Sequence, residues 1–156
     1  MAPSPNLFHQ DISGNIFAIL RSYLAKNPIG SVHIAPLDVY LSEVNVYQPD
    51  VIYVSKAHRS SLTERGIEGA PDLVVEILSP ATARYDKGSK RKIYARTGVK
   101  ELWLVDPELK SIQIYELNKN AETPAATHGV DSNFKSPLFP GLSLKAAAIF
   151  KSSIQK

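Results

Sequence analysis

The chain has 156 residues, 44% of them hydrophobic and 21% charged, with a formal net charge of +3. That length supports one sizeable core but not two comfortable ones, and the slight basic excess permits a polyanionic partner without requiring one. The lack of cysteine excludes disulfides and thiolate metal sites and fits a reducing, cytoplasmic setting, while the opening MAPSPNLFHQ lacks a signal peptide's apolar run and no membrane span is visible.

From His9 to Lys26 the apolar positions Ile12, Ile16, Ile19, Leu20, Tyr23 and Leu24 follow helical spacing, and Asn27-Pro28 supplies a stop. His9 lies one turn before Ile12 on the same stripe. It can face a site at the helix start, although a capping or half-buried structural histidine is the plainer reading. Val32 to Leu41 reads as a strand broken at Pro36, which confines pairing there to an edge or a bulge. A turn at residues 42–45 leads into a second strand, Val46 to Val54, which contains Gln48-Pro49-Asp50 and sets Asp50 on the face of Ile52 and Val54. Residues 55–70 are polar and contain glycine, as in a surface connection with room for a short helical turn.

The stretch that follows, PDLVVEILSPATARYDKGSKRKIYARTGVKELWLVD, organises the chain. Leu73 to Leu78 is a nearly continuous apolar run of the kind found in a strand buried on both faces, and Glu76 interrupts it. A carboxylate there is costly unless a metal ion, a cation or a shared proton compensates its charge. With a period of two, Asp72, Val74, Glu76 and Leu78 share one face, and Leu73, Val75 and Ile77 share the other. Ser79-Pro80 ends the strand. A second helix is predicted from Asp86 to Thr97, with Asp86 as N-cap or first-turn acid and Gly98 as the stop. Lys90, Ile93, Tyr94 and Thr97 form one stripe, so Lys90 rides on the face that packs against the sheet, and Lys87, Arg91, Lys92 and Arg96 surround it with positive charge.

Glu101 to Asp106 and Ser111 to Leu117 read as an antiparallel pair of strands. Residues 118–133 are polar and expected to be mobile, and residues 136–150 return to apolar character as a closing segment. The order is helix, three strands, helix, two strands: an α/β arrangement on a mixed sheet.

QPD in one strand, PDLVVEILSP in the next, D-x-x-x-K-x-x-x-Y on the following helix and GVKELWLVDP after it make the chain similar to the Uma-type restriction endonuclease family of the PD-(D/E)XK nuclease superfamily. The HQ before the first helix and FPGL near the end extend the resemblance over nearly the whole chain. It implies a restriction endonuclease-like core of αβββαβ order as a single domain, with a mixed central sheet flanked by helices. It implies a magnesium- or manganese-dependent endonuclease acting on DNA. Two departures stand out. Family members usually begin with a further segment carrying a glutamate and a glycine turn, so a shortened family member is expected here. The superfamily's lysine normally follows its acid with one residue between, yet Leu78 occupies that position. By resemblance to branches in which the lysine has moved onto the following helix, Lys90 is its replacement.

Phosphodiester hydrolysis needs an activated water and neutralised phosphoryl oxygens, and a divalent ion serves both ends. Asp50 and Glu76 on neighbouring strands would supply its two carboxylates, with Lys90 orienting the water and stabilising transition-state charge. Each has a structural counter-reading: an internal ion pair for Glu76, a turn acid for Asp50, a solvated helix lysine for Lys90. Asp72 at the strand entrance, Asp86 as a cap and His9 are further candidates, while Trp103 and Tyr94 read as core residues. A non-catalytic nucleic-acid-binding module and a purely structural subunit remain as alternatives. Cutting both strands with one centre per chain favours a homodimer.

Overall fold

The structure, a computed structural model, describes residues 6–79 and 86–154, with the side chains of residues 86 and 87 outside that description. Helix α1 (Leu7–Lys26) starts where the Asn6 side chain accepts the His9 N–H at 2.9 Å. It buries Ile12, Ile16, Leu20 and Leu24, the stripe expected from helical spacing. Strands β1 (Gly30–Ile34), β2 (Val51–Ser55), β3 (Leu73–Ile77), β4 (Glu101–Asp106), β5 (Ser111–Glu116) and β6 (Ala126–His128) form a six-stranded sheet in chain order. All neighbours are antiparallel except β3 and β4, which run parallel and are joined through α2 (Asp86–Thr97).

That parallel crossover buries β3 on both faces. Leu73, Val75 and Ile77 pack with α1, Trp103, Val105 and the aromatic pair Phe134 and Phe139. Val74 packs on the other face with Tyr94 of α2, Leu102, Leu104 and Tyr115. Trp103 is fully buried and meets Phe134 and Phe139 edge-on at 5.5 and 6.3 Å. Asn133–Phe134 pairs with Leu144–Lys145, and α3 (Ala146–Ile149) follows to close the α1 side. The mixed α/β architecture and the two faces of β3 agree with the pattern in the sequence.

Four expectations need correction. The strand foreseen over Val46 to Val54 is two strands in different sheets: Val46–Tyr47 joins a second, four-stranded sheet, and only β2 joins the large one. Pro49, without an N–H, separates them. The Val32 to Leu41 strand divides in the same way around Pro36, leaving β1 as an edge strand and Val39–Tyr40 in the second sheet. Residues 55–70 do hold a short helical turn, Lys56–Ser61, but also the strands Leu62–Thr63 and Gly66–Glu68, which complete that sheet. Its core joins Ile52 and Val54 of β2 to Val39 and Ile67, and the last two come from strands of two and three residues, too short to carry a periodic signal. Gly66 makes the turn into it: its φ is +140°, and a Cβ there would lie 2.4 Å from the Asp38 carbonyl oxygen. The segment at 118–133, expected to be mobile, contributes β6, whose backbone satisfies the outer edge of β5. Pro80 lies outside the described residues.

Because α1 is held by apolar contacts, truncation at its centre should be costly. Ile16→Ala is expected to lose about 2–5 kcal/mol in urea unfolding, followed by the fluorescence of the single tryptophan, Trp103. Val44→Ala, at an 87% exposed position, is expected to stay within about 0.5 kcal/mol.

Candidate active site

The antiparallel ladder of β2 and β3 pairs Val51 with Val75, which places Asp50 and Glu76 one step further along, at the end of both strands. Asp50 is fixed twice to β3. Its N–H donates to the Val75 carbonyl at 3.1 Å, and its Oδ2 accepts the Ile77 N–H at 2.7 Å. Glu76 lies on the α2 face with its side chain 14% exposed. Its Oε2 accepts the Tyr94 hydroxyl at 3.1 Å and the Lys90 ammonium at 3.3 Å. Lys90 and Tyr94 are four residues apart on α2, so one helix face delivers both to the same oxygen. The ring of Tyr47, from the second sheet, lies 5.2 Å from Lys90 Nζ and 5.7 Å from the Tyr94 ring.

His9 approaches from the start of α1, with Nε2 at 3.5 Å from Asp50 Oδ1. Its Nδ1 is buried and has no hydrogen-bond partner among the described residues. The structure therefore brings Asp50, Glu76, Lys90 and His9 to one end of the sheet. Burial pushes the Glu76 carboxyl up to about 7; the Lys90 charge opposes that rise, and the Asp50 charge adds to it. Burial also raises Asp50, against the Ile77 N–H and the charges of His9 and Lys90. Two partly desolvated acids thus repel each other beside one ammonium. Burial next to Glu76 pushes the Tyr94 hydroxyl well above its ordinary value and keeps it a donor.

Asp72 lies at the opposite end of the strand, about 13 Å away at the usual rise per residue. Its side chain is 1% exposed, and its carboxylate accepts the Ser55 N–H at 2.7 Å, His58 Nδ1 at 3.0 Å and Lys100 Nζ at 3.2 Å. Burial alone would raise this acid, but hydrogen bonds from Ser55 and Lys100 and the charge of His58 outweigh it and hold Asp72 below its ordinary value. Ser55, His58 and Asp72 are not a catalytic triad, because Ser55 Oγ and Asp72 both meet the same ring nitrogen. Asp86 opens α2, and its side chain lies outside the described residues.

Three residues escaped the sequence reading. Tyr94 is core, as expected, but also a hydrogen-bond donor to Glu76; its i+4 spacing from Lys90 was the available signal. Tyr47 carried none, since its segment read as part of a longer strand. Glu101 is a further buried acid, on the α1 side, accepting Trp103 Nε1 at 3.0 Å and Ser136 Oγ at 2.9 Å, and so tying the closing segment to β4. Its alternation with Trp103 was the clue. Among the described residues no group of three or more His, Asp or Glu side chains is arranged to hold a metal ion. Asp50 and Glu76 are the two carboxylates that this end of the sheet brings together.

The Uma2 family model, described as "Putative restriction endonuclease", matches residues 1–147. Among solved structures, the crystal structure of a putative nuclease belonging to DUF820 from Anabaena variabilis is similar, with a TM-score of 0.76 and 20% identity. The match covers 95% of this chain and 83% of that one, and at this identity it concerns the fold. No curated protein matches the chain.

The raised Glu76 carboxyl has a measurable consequence. A group that binds its proton more tightly when folded contributes stability that is complete below its unfolded value near 4.5 and is lost as pH rises through about 7. Glu76→Gln, which cannot ionise, should match wild type near pH 4.5 and exceed it by about 3 kcal/mol at most by pH 8. Urea unfolding in metal-free buffer at the two pH values checks this; a pH-independent difference would contradict it.

Proposed function

The chain belongs to the Uma2 restriction endonuclease family, and on that premise we propose that it is a metal-dependent endonuclease that hydrolyses phosphodiester bonds in DNA. The observation that carries this reading is the pair Asp50 and Glu76, fixed at one end of the sheet with the Lys90 ammonium 3.3 Å from Glu76. The donor set fits a hard divalent cation such as Mg²⁺ or Mn²⁺, which takes oxygen ligands and often only one or two carboxylates. Burial also pushes both acids towards protonation, and the Asp50 charge adds to that push at Glu76, a condition that a nearby dication relieves.

Asp50 and Glu76 would hold the ion, which when bound lowers the pKa of water and neutralises phosphoryl charge. The Ile77 N–H orients Asp50, and the Tyr94 hydroxyl orients Glu76, so neither carboxylate reorganises when substrate arrives. Lys90 holds the attacking water and places positive charge where the phosphoryl oxygens gain negative charge. His9 constrains Asp50 from the other side. Asp72 and Asp86 serve as a strand-end anchor and the first residue of α2.

A homodimer is part of the same proposal. One centre per chain cuts one strand at a time, and two-fold pairing supplies a second centre and doubles the phosphate contacts that set affinity. The cysteine-free chain suits a cytoplasmic site of action, and no helix among the described residues is long and apolar enough to cross a membrane.

Purified protein is expected to nick supercoiled plasmid in Mg²⁺ or Mn²⁺, with Glu76→Gln, Asp50→Asn and Lys90→Met each slower by about 100-fold or more. Undiminished cleavage by Glu76→Gln would refute the assignment, and a calcium-dependent gel shift without cleavage in magnesium would mark a binding module instead. Light scattering at tens of micromolar should give a dimer mass, with and without DNA; a monomer mass in both would remove the dimer.

A further inference from the structure

We propose that Tyr47 is a positioning residue of this site, its ring holding the Lys90 ammonium against Glu76. The inference rests on the reading of Lys90 as the group that serves water and phosphate. A lysine carries its charge on a flexible four-carbon stem, so a helix alone does not determine where the charge sits. Here the ammonium is 3.3 Å from Glu76 Oε2 and 5.2 Å from the centre of the Tyr47 ring, within the range at which a ring face attracts a cation. The same ring meets Tyr94 edge-on, at 5.7 Å and 73°. Tyr94 donates to the same Glu76 oxygen. Tyr47 thus touches both groups that contact Oε2.

The ring owes its place to a different sheet from the one it serves. Val46–Tyr47 pairs with Val39–Tyr40, setting Tyr47 opposite the fully buried Val39, which pairs in turn with Ile67. The hairpin is closed by the Leu41 N–H on the Asn45 carbonyl at 3.0 Å and by the Asn45 N–H on Ser42 Oγ at 3.1 Å. Gln48 Nε2 on Asp38 Oδ1, at 2.8 Å, pins its base. The second sheet therefore fixes the backbone that carries the ring independently of α2. An aromatic present only to cover Tyr94 would be replaceable by any apolar residue of like bulk. One that positions Lys90 has to keep its π face.

Tyr47→Phe, Tyr47→Leu and Tyr47→Met separate these roles, the last serving should the leucine variant fail to fold. NOEs from the Lys90 Hε protons to the ring of Tyr94, which every variant keeps, are expected in wild type and Tyr47→Phe and should be lost in the ringless variants. In plasmid nicking, kcat should fall about tenfold in the ringless variants with KM unchanged, and Tyr47→Phe should stay within about twofold. Undiminished Lys90–Tyr94 NOEs in a folded ringless variant would overturn the proposal whether or not the protein cleaves DNA. Lost NOEs with unchanged kcat would overturn it as well. If wild type shows no cleavage, the nuclease reading fails, and the Lys90–Tyr94 NOEs alone decide whether Tyr47 places that lysine.

Discussion

A carboxylate in a strand covered on both faces is the constraint on which this structure turns. Glu76 interrupts five strand residues of which the other four are buried, and its charge has to be met from the α2 side. The parallel β3–α2–β4 unit does that, because the helix covering the strand carries Lys90 and Tyr94 one turn apart. β2, antiparallel to β3, starts directly after Asp50 at the same place, and Asp50 is held there by hydrogen bonds to the β3 backbone. The fold therefore keeps two repelling acids close together, and a carboxyl near 7 is the physical sign of that arrangement.

The two ends of β3 show how one strand can host acids of opposite character. Asp72 and Glu76 lie on the same face by strand periodicity, and both are largely buried. Asp72 receives a backbone N–H, a histidine and a lysine, and its ionised form prevails. Among the described residues Glu76 receives one hydroxyl and one ammonium and also faces Asp50, so burial prevails over its partners. The number and kind of donors, not burial alone, separate an anchoring carboxylate from one suited to a cation. Glu101 is a third case: it is buried among neutral donors on the α1 side, where it fastens the closing segment.

Much of this was legible because it depends on local periodicity. The α1 stripe, the two faces of β3, the span of α2 from Asp86 to Thr97 and the β4–β5 pair follow from spacing within single segments. The conflict at Glu76 follows as well, since a charged residue inside an apolar run is visible without coordinates. Four things were hidden: the second sheet, β6, the double role of Tyr94 and the place of Tyr47. Each depends on segments distant in sequence or on strands of two or three residues, whose pairing is decided by which backbone edge is left open. The division of residues 46–54 between two sheets hid Tyr47 most completely, because a continuous strand would have carried it away from Lys90.

The central claim is that Asp50 and Glu76 act together on one divalent ion. Anomalous diffraction from a crystal soaked in Mn²⁺ tests it most directly. The account predicts one strong peak within coordination distance of both carboxylates, and its loss in Glu76→Gln. A peak on only one of them, or none with Mn²⁺ in excess at pH 8, would contradict it.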